Sequence, residues 1–203
     1  LFNGSFWSGI RRRLNSKLSG GLDFDFSISR NPYLQQSIKL FQQSNQFSFN
    51  PNCSFYIENK FSASIDLNVG RAYNKVGEGS WNAYWKADPT LEFKYSPFKK
   101  WRIQTDLNLE YQQKAPPFNA DFKRLYWNAS TAYDLNKRRT WSATFSIKDI
   151  LNQNNGYNRS FYGNTISEVN NLTIRRNWLA GFIWKFNKSK IEKKEEDDEF
   201  FNH

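Results

Sequence analysis

Methionine is absent from the 203 residues, and cysteine and histidine occur once each, as Cys53 and His203. A single histidine at the last position excludes histidine-dependent triads and His-ligated zinc or iron sites. A single thiol excludes CxxC redox motifs and internal disulfides. Cys53 reads as a small buried or lipid-facing residue, and the scarcity of thiols is compatible with an oxidising envelope compartment. The missing Met leads us to expect a chain whose native start has been removed, by leader cleavage or by truncation. No run approaches the roughly 18 apolar residues of a membrane-spanning helix. No apolar segment follows Arg11-Arg12-Arg13, which is therefore not a signal peptide. A mean hydropathy of −0.80 still leaves one membrane architecture open, the transmembrane barrel, whose apolar residues occupy every second position.

What is abundant is aromatic, with 19 Phe, 10 Tyr and 8 Trp, and these residues fall into ladders of period two. Phe61, Ala63, Ile65, Leu67 and Val69 alternate with small and polar residues; so do Trp101, Ile103, Thr105, Leu107, Leu109 and Tyr111. Similar ladders start at Leu22, Phe47, Trp81, Leu125, Trp141 and Ile174. A helix cannot keep one face apolar at this spacing, so these are strands. The ladders predict eight good strands and a weaker ninth near Phe2 to Ile10, each long enough to cross a bilayer at a tilt. Pro51 and Pro89 fall inside two ladders and predict bulges or local breaks.

The connections alternate in length. Arg11–Ser16, Glu58–Lys60, Ser96–Lys100 and Asp134–Arg139 are short, whereas Asn31–Ser44, Ala72–Ser80, Gln113–Asp121 and Lys148–Asn171 are long. Short turns on one rim and long loops on the other are the outer-membrane barrel pattern, with the short side periplasmic. Ile57 and Phe61, Tyr95 and Trp101, and Tyr133 and Trp141 bracket the short turns, with Trp184 and Phe186 ending the last strand. Rings at one height read as an aromatic girdle at the headgroup level, carried by Tyr95, Trp101, Tyr133 and Trp141.

The alternate positions are polar and charged: Asp23, Asp25, Asp66, Lys86, Asp88, Glu92, Lys94, Arg102, Asp106 and Glu110. In a soluble barrel these would point outward; in a membrane barrel they line a wet lumen. Asp23 and Asp25 lie roughly 7 Å apart on one face, within reach of glycoside chemistry. Lumen carboxylates balanced by Lys and Arg are the commoner use, so no enzymatic activity, metal or cofactor is expected. The net charge of +10 fits nucleic-acid binding in principle, but bases and aromatics occupy opposite faces, so no nucleic-acid partner is expected. The clusters Arg11–Arg13, Lys99-Lys100 and Lys137–Arg139 fall on the short turns, where they would meet anionic headgroups or a periplasmic partner.

Two stretches carry a resemblance. Leu179-Ala-Gly181-Phe-Ile-Trp184-Lys-Phe186 resembles the assembly signal of bacterial outer-membrane proteins, in which a Gly is followed by lipid-facing aromatics three and five positions on. It departs from that signal in Leu179, where a polar residue is usual, and in not being terminal. The segment from Lys148-Asp149-Ile150-Leu151-Asn152-Gln153-Asn154-Asn155-Gly156 to the last strand resembles the C-terminal end of TonB-dependent receptor-type barrels of Bacteroidota. Arg176-Asn177-Trp178 and the acidic tail depart from that pattern.

The resemblance implies the C-terminal part of a plugged barrel of about 22 strands. The expected fold class is thus an all-β antiparallel transmembrane β-barrel, about nine strands of a larger barrel, with an eight-stranded closed barrel as the alternative. Residues 1–186 would form strands and loops, and 187–203 a charged periplasmic tail without order of its own. The implied function is import of a scarce ligand across the cell outer membrane. Its partners would be outer-membrane lipid and lipopolysaccharide, the barrel-assembly machinery reading Gly181, Trp184 and Phe186, a TonB-type energy transducer acting through a plug absent from this chain, and other envelope proteins. Tyr157, Arg159, Phe161 and Tyr162 in the last long loop are the candidate ligand contacts. The alternatives are a non-transporting barrel subunit of a secretion or surface-attachment complex and a small structural or adhesive barrel.

Overall fold

The computed structural model describes residues 2–35, 37–116, 118–162 and 165–186. It is all-β and antiparallel. β1 (Phe2–Arg13), β2 (Leu18–Gln35) and β3 (Ile38–Ile57) are consecutive hairpin-linked strands. The lower half of β3 pairs with β4 (Phe61–Asp66) and its upper half with β5 (Val69–Val76), so β4 and β5 are one long strand interrupted at Leu67-Asn68. β6 (Asn82–Ala87) and β7 (Thr90–Phe98) likewise form one strand interrupted at Asp88-Pro89. β8 (Trp101–Gln112), β9 (Phe122–Asp134) and β10 (Trp141–Lys148) follow. After a separate hairpin of β11 (Tyr157–Tyr162) and β12 (Thr165–Asn170), β13 (Asn177–Trp184) returns to pair with β10. Counting each interrupted pair once, the main sheet is a meander of the nine strands that the ladders predict. Among the described residues β1 pairs only with β2 and β13 only with β10, so the sheet has two open edges. β2 is paired on both sides, by β1 and β3, and offers no edge for an eight-stranded closure without β1.

The two prolines act differently. Pro51 sits inside an unbroken β3, and its carbonyl accepts from Leu67 N at 2.9 Å. Backbone N–H and C=O of a strand residue point the same way, so the donor that Pro51 lacks would face the interruption in the neighbouring strand. Pro89 lies in the second interruption and accepts from Leu109 N at 3.0 Å, while Asp88 N reaches Asn68 O at 2.8 Å. The two breaks are thus side by side and bridged. Beside them the apolar face has a shallow depression of about 170 Å³, lined by Ile65, Pro89, Leu91, Leu107, Leu109 and Leu125.

Two of the expected long loops are largely strand. The segment Asn31–Ser44 continues the β2–β3 hairpin, paired from Ser29↔Ser44 through Gln35↔Ile38, and Ala72–Val76 belongs to β5. Pairing persists there because the ladder satisfies the backbone whatever the side chains are; only the apolar alternation that marks a strand in sequence stops.

The faces are inverted relative to a soluble sheet. On β7, Lys94 is 4% exposed whereas its neighbours Phe93 and Tyr95 are 37% and 41% exposed. Buried apolar residues among those described are only Ala72, Tyr84 and Ala115, while Asp134, Arg124, Gln112 and Ser142 are all buried. A soluble chain of this length buries Leu, Ile, Val and Phe instead. On the exposed apolar face the polar atoms of β8 and β9 bond internally. Trp127 Nε1 donates to Thr105 Oγ1 at 2.8 Å and Trp101 Nε1 to Thr131 Oγ1 at 2.7 Å. The two threonines donate onward to the carbonyls of Asn128 and Arg102.

Candidate functional site

The sheltered polar face is built from cross-strand partners. Glu92 accepts from Gln104 Nε2 at 2.8 Å and lies 3.3 Å from Lys94 Nζ; Asn128 Nδ2 donates to Asp106 at 2.7 Å. At the short-turn rim Arg102 grips Asp134 with two bonds of 2.8 Å, Ser142 Oγ donates to the same carboxylate at 2.7 Å, and Arg139 stands 3.7 Å away. Asp134 lies one position beyond Tyr133, outside the apolar band. Burial pushes its carboxyl up, but the hydrogen bonds from Arg102 and Ser142 and the charges of Arg102 and Arg139 outweigh that and hold it below the ordinary carboxylate range. Asp23 and Asp25, the pair considered for glycoside chemistry, have separate partners: Arg11 at 4.0 Å for Asp23, and Asn50 and Ser48 for Asp25.

At the long-loop end the segment after β10 turns back on the polar face. Asp149 and Asn152 have φ of 53° and 57°, a conformation Asp and Asn tolerate best among side-chain-bearing residues. The Asp149 carboxylate caps this turn by accepting from Gln153 N at 2.8 Å and Asn154 N at 2.9 Å. Asp149 N donates to Asn128 Oδ1, and Ile150 N to Trp127 O. Gln153 Oε1 accepts from Leu125 N at 2.8 Å. Side-chain amides therefore stand in for a ladder on β9 above the end of β10, which is a physical reason for the Asp-Ile-Leu-Asn-Gln-Asn run.

The β11–β12 hairpin is clamped by arginines. Arg124, buried on the polar face, pairs with Glu110, donates to Tyr157 O at 2.7 Å, and lies over the rings of Phe122 and Tyr126 at 5.2 and 4.7 Å. Arg159 lies over Phe118 at 3.7 Å and donates to Ala120 O at 3.0 Å, and Tyr157 donates to Glu168. Of the candidate ligand contacts, Tyr157 and Arg159 are thus tied into this network; the side chains of Phe161 and Tyr162 lie outside the described residues. The sequence reading did not single out Arg124 or Asp134. Both are in phase with the polar face, and Glu110 and Arg124 flank the 113–121 loop at register positions that pair, which is the signal that would have found them.

The girdle residues Tyr95, Trp101, Tyr133 and Trp141 all lie on the apolar face near the short turns. Trp101 pairs across strands with Tyr133, and Trp141 stacks on Trp184 at 4.5 Å and 10°. Gly181 pairs with Thr144, whose Oγ1 would lie 2.7 Å from a Cβ at that position. Trp184 and Phe186 pack ring on ring. Residues 187–203, the expected periplasmic tail, lie outside the described residues.

Compared with family models, curated proteins and solved structures, the chain matches none. The residues themselves carry the functional reading.

Proposed function

We propose that this chain is part of the wall of an outer-membrane β-barrel of the TonB-dependent receptor type, without chemistry of its own. The observation that carries the membrane reading is the inversion of the faces: Lys94, Arg124 and Asp134 are sheltered while Phe93, Tyr95, Trp101 and Trp127 are exposed. Water gives no reason for that arrangement, and hydrocarbon does. The Trp–Thr bonds on the apolar face support it, because an indole N–H in lipid has no water to bond. The receptor reading is finer and rests on the segment from Lys148 to Phe186 and its likeness to receptor C-termini. Under it, the polar face lines the import path, the β11–β12 hairpin is one of the long-side loops, and a plug elsewhere in the transporter couples to the energy transducer. Gly181, Trp184 and Phe186 would be the assembly signal.

The test is depth. The full chain is inserted into phosphatidylcholine vesicles with bromine on mid-chain acyl carbons, and tryptophan fluorescence is compared for variants retaining Trp127 or Trp101 as the sole indole. Strong quenching at Trp127 and weaker quenching at the girdle residue Trp101 is expected. No quenching at either position overturns the membrane reading.

A further inference from the structure

Charge is sorted between the two faces by sign as well as by number. Every carboxylate in the strands of the main sheet, from Asp23 to Asp134, belongs to the polar face. The apolar face carries cations alone, and only toward the strand ends. Arg12 lies at the short-turn end; Arg30, Lys39, Arg71, Lys75 and Lys123 lie at the other. Their register fixes the face: Arg71 is flanked by Phe47 and Trp85, Arg30 and Lys75 both oppose Gln43, Lys39 opposes Leu34, and Lys123 opposes Tyr111.

Height follows from counting along the strands. Arg71 and Lys123 are each about ten positions from a short-turn aromatic, Phe61 and Tyr133, or roughly 33 Å along the strand and 25 Å vertically at the usual tilt. That is the height of a barrel's apolar band, so these two cations sit at its upper boundary and the other three above it.

Arg71 lies over the rings of Tyr73 and Trp85 at 5.0 and 5.4 Å, and Phe47 meets Trp85 edge-on at 5.8 Å. Its Nε is buried without a hydrogen-bond partner. Arg30 lies over Phe41 at 4.5 Å. None of the five makes an ion pair among the described residues. Two positions below Lys123 on the same strand, Leu125 lines the 170 Å³ apolar depression.

We propose that this rim binds the phosphate groups of anionic lipid in the outer leaflet, with Arg71 and Lys123 as anchors and the depression under Lys123 taking an acyl chain. A guanidinium stacked on aromatic rings keeps its donors for phosphate oxygens. Lipid, rather than a free anion, is favoured because the cations border an apolar surface of one bilayer's height. The inference rests on the membrane reading and adds to it the residues that hold the lipid phosphates.

The experiment titrates the full chain in neutral detergent with bis-phosphorylated lipid A, its dephosphorylated counterpart and inorganic phosphate, reading bound species by native mass spectrometry. The phosphorylated lipid binds in preference to the dephosphorylated one, and the Arg71→Gln/Lys123→Gln double variant loses about thirty-fold in affinity. The polar-face control Lys86→Gln changes nothing. Equal binding by the double variant and the wild type, or displacement of the lipid by equimolar inorganic phosphate, overturns the proposal. Insertion of each variant into phosphatidylcholine vesicles is measured alongside. A wild-type chain that inserts neither alone nor as an assembly joined through its open edges fails the membrane reading itself, whereas normal insertion with unchanged lipid preference fails this inference alone.

Discussion

Asp134 is the most sheltered of the described side chains, and its ionised state is maintained by what surrounds it. Replacing it with Asn leaves Arg102 without its bidentate partner; the expected loss is about 3 kcal/mol, read as a shift in the urea midpoint of the vesicle-inserted chain. The carboxyl titrates below its ordinary value in the folded state. Its contribution is therefore complete above the ordinary carboxylate range, roughly pH 4, and is lost as the pH falls through the depressed value. The gap between wild type and Asp134→Asn should be full at neutral pH and shrink in acid; a gap that widens in acid contradicts the assignment. Such clusters are hard to read from sequence. Arg102 and Asp134 are each ordinary strand residues, and only the register that places Arg102 against Ala132 and Ser142 against Asp134 brings them together.

At the scale of elements, alternation made most of the sheet legible. Phe61 to Val69 and Trp101 to Tyr111 keep one parity because a pleated strand has a strict period of two. Legibility ended where this signal does. The top of the β2–β3 hairpin has polar residues on both faces, so it reads as loop although its backbone stays paired. Pro51 suggested a defect in its own strand, whereas the interruption lies next door at Leu67-Asn68. In the Asp149-to-Gly156 run, the replacement of a ladder by side-chain amides depends on which β9 groups lie opposite Asp149 and Gln153, and a linear sequence does not show that. Gly156 closes that run with φ of 71°, and a Cβ there would lie 1.8 Å from Asn171 O. Gly156→Ala should open the base of the β11–β12 hairpin at a cost above about 1 kcal/mol. Protease cleavage within 157–170 should rise while the circular dichroism of the main sheet is unchanged; equal cleavage in the two proteins contradicts the role given to this glycine.

At the scale of the molecule the open edges matter most. β1 and β13 each present a row of backbone donors and acceptors unpaired by any described strand, which hydrocarbon penalises by several kcal/mol per group. Under the membrane reading, the wall continues past both. The 203-residue chain alone in detergent is then expected to associate through these edges, and to lack the compact, heat-modifiable band of a closed barrel on unheated gels. A compact monomer at the mass of one chain would mean that β1 and β13 close on each other as a nine-stranded barrel, and would contradict the reading of this chain as part of a larger wall.

The meander also sets an order of events. Most ladders join strands separated by a few residues, so the entropic cost of closing each loop is small. The exception is β10 with β13, whose partners stand on either side of the 149–176 connection. The β11–β12 hairpin and the Asp149 turn, by bringing Gly156 O to Asn171 N at 3.0 Å, shorten that connection before its ends meet. The last strand is therefore expected to be recruited late, and a lesion at the base of the β11–β12 hairpin, such as Gly156→Ala, should slow its arrival in refolding.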